Sequence, residues 1–150
     1  MDSFDFKLLD ALQRNAARSN AELGEWVGLS ASQISRRRDR LEKSGVIRAY
    51  RADVDHTKIG YQITVFIHVT LRAHSAGNSK KLRDLVLTTP QIHEAHAMTG
   101  ETDYLFRVAV GGLAELAVFV NERLLAHPAI ARVRSEIVLE TLKDERVWVV

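Results

Sequence analysis

Apolar residues in the first third of the chain recur at helical spacing in short bursts. Phe4, Leu8, Leu9 and Leu12 fall on one side of a helix predicted over about Ser3 to Arg14, with the acids Asp2 and Asp5 near its positive end. Leu23, Trp26 and Val27 mark a second, shorter helix; Ser19 or Asn20 is suited to begin it and Gly28 to end it. A third begins at Ser30. Ser30 and Gln33 stand at the capping-box spacing, so each can satisfy the other's orphan backbone donor. This helix runs to about Ser44, and Gly45 follows it. A short helix, a turn through glycine and a capped second helix make a helix-turn-helix. Beyond it, Val46, Arg48 and Tyr50 alternate against Ile47, Ala49 and Arg51, which predicts a strand or wing. Residues 52–60 have no apolar period and read as a linker.

The pattern then changes from helical to strand period. Ile63, Val65, Ile67, Val69 and Leu71 alternate with Thr64, Phe66, His68 and Thr70, so residues 61–72 form a strand with one apolar face. A helix opens at Gly77-Asn78, carries Leu82, Leu85 and Val86 on one face, and stops at Pro90. A strand follows through Ile92, Glu94, His96 and Met98, then the turn "TGETD" (99–103), then the strand "YLFRVAV". Leu113, Leu116, Ala117, Val120 and Leu124 are the expected buried stripe of the next helix. Pro128 stops it, and "IARVRSEIVLETL" is the fourth strand. "LTTPQI" (87–92) and "LAHPAI" (125–130) share the pattern L-x-x-P-x-I, and each closes a helix and opens a strand. The order βαβ-βαβ is ferredoxin-like, with both helices on one face of an antiparallel sheet. The other face bears Phe66 and His68, which predicts dimerisation against the same face of a second copy. The fold class is therefore α+β: a winged helix-turn-helix over 1–51, a linker over 52–60, and a βαββαβ domain over 61–150.

Composition narrows the function. No run of eighteen apolar residues predicts a membrane span, and the acidic start "MDSFDFKLLDALQ" lacks the basic region of a signal peptide. The absence of cysteine removes disulfides and thiolate metal sites and fits a reducing compartment. Net charge is only +2. Its distribution says more: residues 30–51 hold seven basic side chains (Arg36, Arg37, Arg38, Arg40, Lys43, Arg48, Arg51) against two acidic ones. A field concentrated in this way is what a phosphate backbone selects, although a solvated helix face carries similar charge.

The helical wheel divides that run. With Ile34 and Leu41 defining the buried direction, Arg36, Arg40 and Lys43 point away from it, and Ser32 and Gln33 lie at the N-terminal turn beside the same face. Recognition helices meet base edges near their N-termini. Gln33 matches adenine and Arg36 matches guanine in bidentate geometry, while Arg40 and Lys43 lie further along and suit phosphates. Arg37 and Arg38 flank the buried direction. Arg38 stands where an apolar residue is expected, so its stem is expected to pack and its head to reach an acid, a carbonyl or solvent.

At this level of detail the chain resembles the Lrp/AsnC, or feast/famine, family of prokaryotic transcription regulators. The likeness rests on "FDFKLLDALQRNAARSNAEL", "GLSASQISRRRDRLEKSGVIRAYRA", "TGETDYLFRV" and "RVRSEIVLETLK", in that order. Arg37, Leu41, Glu42, Gly45, Ile47 and Tyr50 fall on the family pattern R-x-x-x-L-E-x-x-G-x-I-x-x-Y. Arg38 departs from it, since the family commonly has an aliphatic residue there. The resemblance implies a DNA-binding regulator of double-stranded DNA, acting in the prokaryotic cytoplasm on the nucleoid. It implies a homodimer that often assembles further, as in octamers, and a small effector, frequently an amino acid. Ser30, Ser32, Gln33, Arg36, Arg37, Arg40, Lys43 and Arg48 are the expected DNA-contacting residues. Gly100, Thr102, Asp103, Tyr104 and Ser135 are the implied effector residues. Gly100 permits a tight backbone whose amides suit a carboxylate, and Asp103 suits an ammonium; the residues alone also allow "TGETD" to be a plain hairpin loop.

Other classes carry less. "HEAH" (93–96) has the look of a metal or acid-base cluster, but on a strand His93 and His96 point to opposite faces. There is no G-x-S-x-G, P-loop or cysteine nucleophile, so no enzyme, cofactor or metal site is expected. A chromatin-like architectural protein without an effector, or a ligand-binding module without a DNA role, remains the alternative.

Overall fold

The computed structural model describes residues 1–144, 147 and 148. The chain divides into two compact units, one built on residues 1–53 and joined by the described residues after 142, the other on residues 54–142.

The first unit has three helices, α1 (Ser3–Arg14), α2 (Asn20–Val27) and α3 (Ala31–Lys43). Asp2, Ser19 and Ser30 cap them, and each cap is a full capping box, with Asp5, Glu22 and Gln33 reaching back to the cap amide. Gly28 ends α2 in the left-handed region, at φ +83°. A Cβ on Gly24 would collide with the Leu29 carbonyl oxygen, so the α2–α3 turn requires glycine at a second place. Leu8, Leu12, Leu23, Val27, Ile34 and Leu41 form the core. Phe4 and Trp26, expected on the buried faces, are partly exposed and carry arginines: Arg37 lies over Phe4 and Arg18 over Trp26. The predicted strand at 46–51 is not one. It has no strand partner among the described residues, and a bend falls at Val46 and Ile47. Side chains tether it to α3 instead, the Tyr50 hydroxyl donating to Glu42 at 2.7 Å. Trp148 exchanges two hydrogen bonds with the side chain of Gln13 on α1.

In the second unit β1 (Ile63–Leu71), α4 (Ala76–Thr88), β2 (Ile92–Ala97), β3 (Tyr104–Val110), α5 (Leu113–Val118) and β4 (Ile130–Ile137) follow in order. The sheet runs β2-β3-β1-β4, antiparallel throughout, as the βαββαβ reading requires. The segment expected to be a bare linker contains a 3-10 turn, His56–Ile59, begun by Asp55. The inward face of β1 is fully apolar, and Val65, Ile67, Val69, Phe106, Val108 and Leu82 share the core. Two expectations fail locally. A bulge between Ile92 and Glu94 reverses the alternation of β2, so Ile92 is buried while Glu94 and His96 pair with Arg107 and Leu105 on the open face. The last helix continues from α5 as a π-helix over Phe119–Leu125. Leu116, Phe119 and Leu124 are buried, whereas Leu113 and Ala117, both in α5 before the π-helix, stay exposed.

Candidate nucleic-acid interface and effector loop

The basic residues of α3 have separate surroundings. Arg37 Nη1 donates to Asp2 at 2.8 Å and to Asp5 at 2.7 Å. Arg40 Nη2 donates to both oxygens of Asp5 at 2.7 Å. Asp5 is fully buried, although it is an acid on the apolar stripe of α1. Burial alone would raise its carboxyl, but the Asp2 amide and the Arg37 and Arg40 guanidiniums outweigh that and hold it below the usual carboxylate range. The Arg37 hydrogen bond holds Asp2 low as well. Arg38 donates to the side-chain oxygen of Asn20 at 2.9 Å, and its guanidinium lies 5.1 Å from the Tyr50 ring centre. Its head therefore reaches a carbonyl, as its position required. Lys43 pairs with Asp39 one turn back. Of the basic residues on α3, Arg36 alone has no hydrogen bond or ion pair among the described residues.

This sorts the expected DNA-contacting residues. Arg36, Arg40 and Lys43 line one shallow hollow of about 450 Å³ with Asp39 and Ser44. Arg37 is only 21% exposed and is held by Asp2 and Asp5 at the start of α1. Gln33 spends its amide oxygen on the cap, accepting from the Ser30 backbone at 2.9 Å and from the Ser30 hydroxyl at 3.0 Å. A bidentate adenine contact needs that oxygen, so Gln33 reads a base only if the capping box opens. Ser30 is likewise in the cap, and Ser32 lies beside it at 3.1 Å. Arg48 is exposed on the segment after α3 and does not line the α3 hollow. The aspartates were the residues missed. Asp5 sits at a core position of α1, as Arg37 does between Ile34 and Leu41 on α3. Two charges misplaced on two apolar stripes were the available signal.

The turn 99–103 closes with the Met98 amide donating to the Asp103 carbonyl. Gly100 takes φ +152°, a conformation rare for side-chain-bearing residues. The amides of Gly100, Glu101 and Thr102 make no backbone hydrogen bond among the described residues. Asp103 fixes the loop, accepting from the Leu71 amide at 2.7 Å, with His74 at 3.6 Å from its other oxygen. Thr102 lies toward the open face, 3.5 Å from His68, and the two line a hollow of about 90 Å³ with Thr70, Glu101, Arg132 and Arg134. Tyr104 packs against the core on the opposite face. Ser135 stands opposite Ile67 on that face too, at the exposed edge strand. Gly100, Thr102 and Asp103 are thus brought together, whereas Ser135, two residues along β4 from the Val133 that shares a row with Tyr104, lies on the other face of the sheet from Thr102. His93 meets Tyr61 edge to face, and His96 meets Glu94.

A helix-turn-helix unit, followed in the chain by a sheet unit with a glycine loop of open amides, is the plan of a DNA-binding regulator with a separate ligand domain. Known proteins agree on both halves. The AsnC-type helix-turn-helix domain matches residues 1–42, and the Lrp/AsnC ligand binding domain matches residues 64–148. The chain belongs to the Lrp/AsnC family of transcriptional regulators. It is 35% identical to the leucine-responsive regulatory protein of Rhizobium meliloti over 96% of this chain and 92% of that protein. It is 33% identical to the glutamate uptake regulatory protein of Zymomonas mobilis, covering 98% and 89%. A transcriptional regulator of Neisseria meningitidis solved with L-Met superposes with a TM-score of 0.94 at 32% identity, covering 97% of this chain and 94% of that one.

Proposed function

We propose that this regulator reads a pseudo-palindromic site through Arg36 on two α3 helices of a homodimer, and that an amino acid bound at the 99–103 turn modulates its occupancy. The observation that carries the reading is Arg36, exposed and without a hydrogen bond or ion pair among the described residues, on an α3 whose other cations are engaged. Two-fold symmetric helices enter successive major grooves, so the site mirrors the dimer. Phe66 and Leu105 on the open face of the sheet, set among Arg107, Arg134 and Glu136, support pairing with the same face of a second copy. Assembly beyond a dimer and action on the nucleoid in the cytoplasm extend the same reading. Among the described residues no helix is long and apolar enough to cross a membrane.

The effector class rests on chemistry that suits both ends of an amino acid. The open amides beside Gly100 suit a carboxylate, and Asp103 supplies the negative charge for an ammonium. Relatives named for leucine and glutamate, and one solved with L-Met, support the same class. A thermal-shift screen of the amino acids, followed by light scattering with each hit, tests it. Asp103→Asn keeps an acceptor for the Leu71 amide but removes the charge. The expected result is loss of the effector response with DNA binding kept; a dose-response identical to the parent removes Asp103 from the site.

A further inference from the structure

Arg40 is engaged at one end only. Its Nη2 is held by Asp5, whereas Nε and Nη1 have no partner among the described residues, and the side chain is 59% exposed. An arginine carries five N–H donors in a rigid fork, so one guanidinium can serve two anions at once. Asp5 does not depend on Arg40 for neutralisation, because the more buried Arg37 also contacts it at 2.7 Å. The outer edge of Arg40 opens on the hollow that holds Arg36 and Lys43. We propose that Asp5 is a positioning residue for DNA binding: it anchors the inner nitrogen of Arg40, so that the outer donors meet a backbone phosphate already oriented. Arg37 is the permanent counter-ion of this anchor, which keeps an uncompensated carboxylate away from the phosphate. A free arginine must be ordered when it binds, and the buried carboxylate has ordered this one beforehand. A lysine cannot replace it, since an ammonium is a single point charge on a flexible stem.

The inference rests on α3 facing DNA, and its test separates the two. Affinity of the full chain for a mixed-sequence duplex is measured by fluorescence anisotropy across a salt series. The Arg40→Gln variant is expected to lower the slope of log K against log salt by about one, equally for every sequence. Arg40→Lys and Asp5→Asn keep the cation but lose the anchor, so several-fold weaker binding at nearly the parent slope is expected. If Asp5→Asn does not fold by circular dichroism, Arg40→Lys carries the comparison alone. A parent slope in Arg40→Gln overturns the proposal, as does parent affinity in Arg40→Lys. Tighter binding by folded Asp5→Asn overturns it too, because Asp5 would then compete with the phosphate. A parent chain with no salt-dependent duplex binding removes the DNA reading of α3 itself.

Discussion

The two units bury different things. In the sheet unit the one buried polar side chain among the described residues is Thr89, whose hydroxyl turns back to the Leu85 carbonyl of its own helix. In the helical unit a carboxylate is fully buried beside leucines, held by two arginines of another helix. A sheet fixes its geometry through strand register, and its core needs only apolar surface. Three short helices have no register, and small apolar cores do not define helix orientation strongly. An ion network between α1 and α3 is directional. It fixes how the basic helix is presented, and in a DNA-binding unit that presentation is the function.

Cutting each core at its centre should expose the difference. Phe106→Ala is expected to destabilise the sheet unit by about 3–5 kcal/mol, the ordinary loss for a large buried aromatic. Hydrogen exchange should show β1 and β3 amides losing protection. Asp5→Ala should cost the helical unit about 3 kcal/mol, because two guanidiniums lose a buried partner. Trp26 and Trp148 both belong to the helical unit, so tryptophan fluorescence during urea unfolding reads this change. A loss below about 1 kcal/mol would show that the network contributes no more than surface ion pairs do.

Acid should separate the units in a second way. Asp5 and Asp2 have folded pKa values below their unfolded ones, so their contribution is present above the unfolded value, about 3.9, and lost as pH falls through the folded values. All six histidines lie in residues 54–142. The tryptophan-monitored midpoint is therefore expected to stay level between about pH 7 and pH 5, then fall below about pH 4. A midpoint already falling at pH 6 would place the titrating groups elsewhere.

How much of this was legible depends on whether the cause was local. The caps at Ser19 and Ser30, the left-handed Gly28 and the inward alternation of β1 are set by neighbouring residues, and the chain reads correctly there. The Asp5–Arg37 pair is not local. Each residue appears in its own helix as a charge on an apolar stripe, and only the packing of α1 on α3 joins them. Gln33 shows the opposite case: one residue suits two roles, and in this structure the cap holds its oxygen. Leu113 falls on the expected stripe, yet it is the first residue of α5 and stays exposed. Ser135 lies on β4 and Thr102 in the turn before β3, and they end on opposite faces of the sheet.

Smaller effects sharpen the account of α3. Arg38→Leu loses hydrogen bonds to Asn20 and Tyr50 but restores an apolar residue beside the core, so a change within about 1 kcal/mol is expected by thermal unfolding. Unfolding of the unit would make those bonds essential.

The central claim is that α3 reads DNA through Arg36, the one cation of that helix without a hydrogen bond or ion pair among the described residues. The direct test is the ratio of affinities for an operator, selected from a random duplex pool, over mixed-sequence duplex. Arg36→Ala should lower that ratio by about 5- to 150-fold, the value of one bidentate base contact, with the helical unit still folded. A ratio equal to the parent's would contradict it.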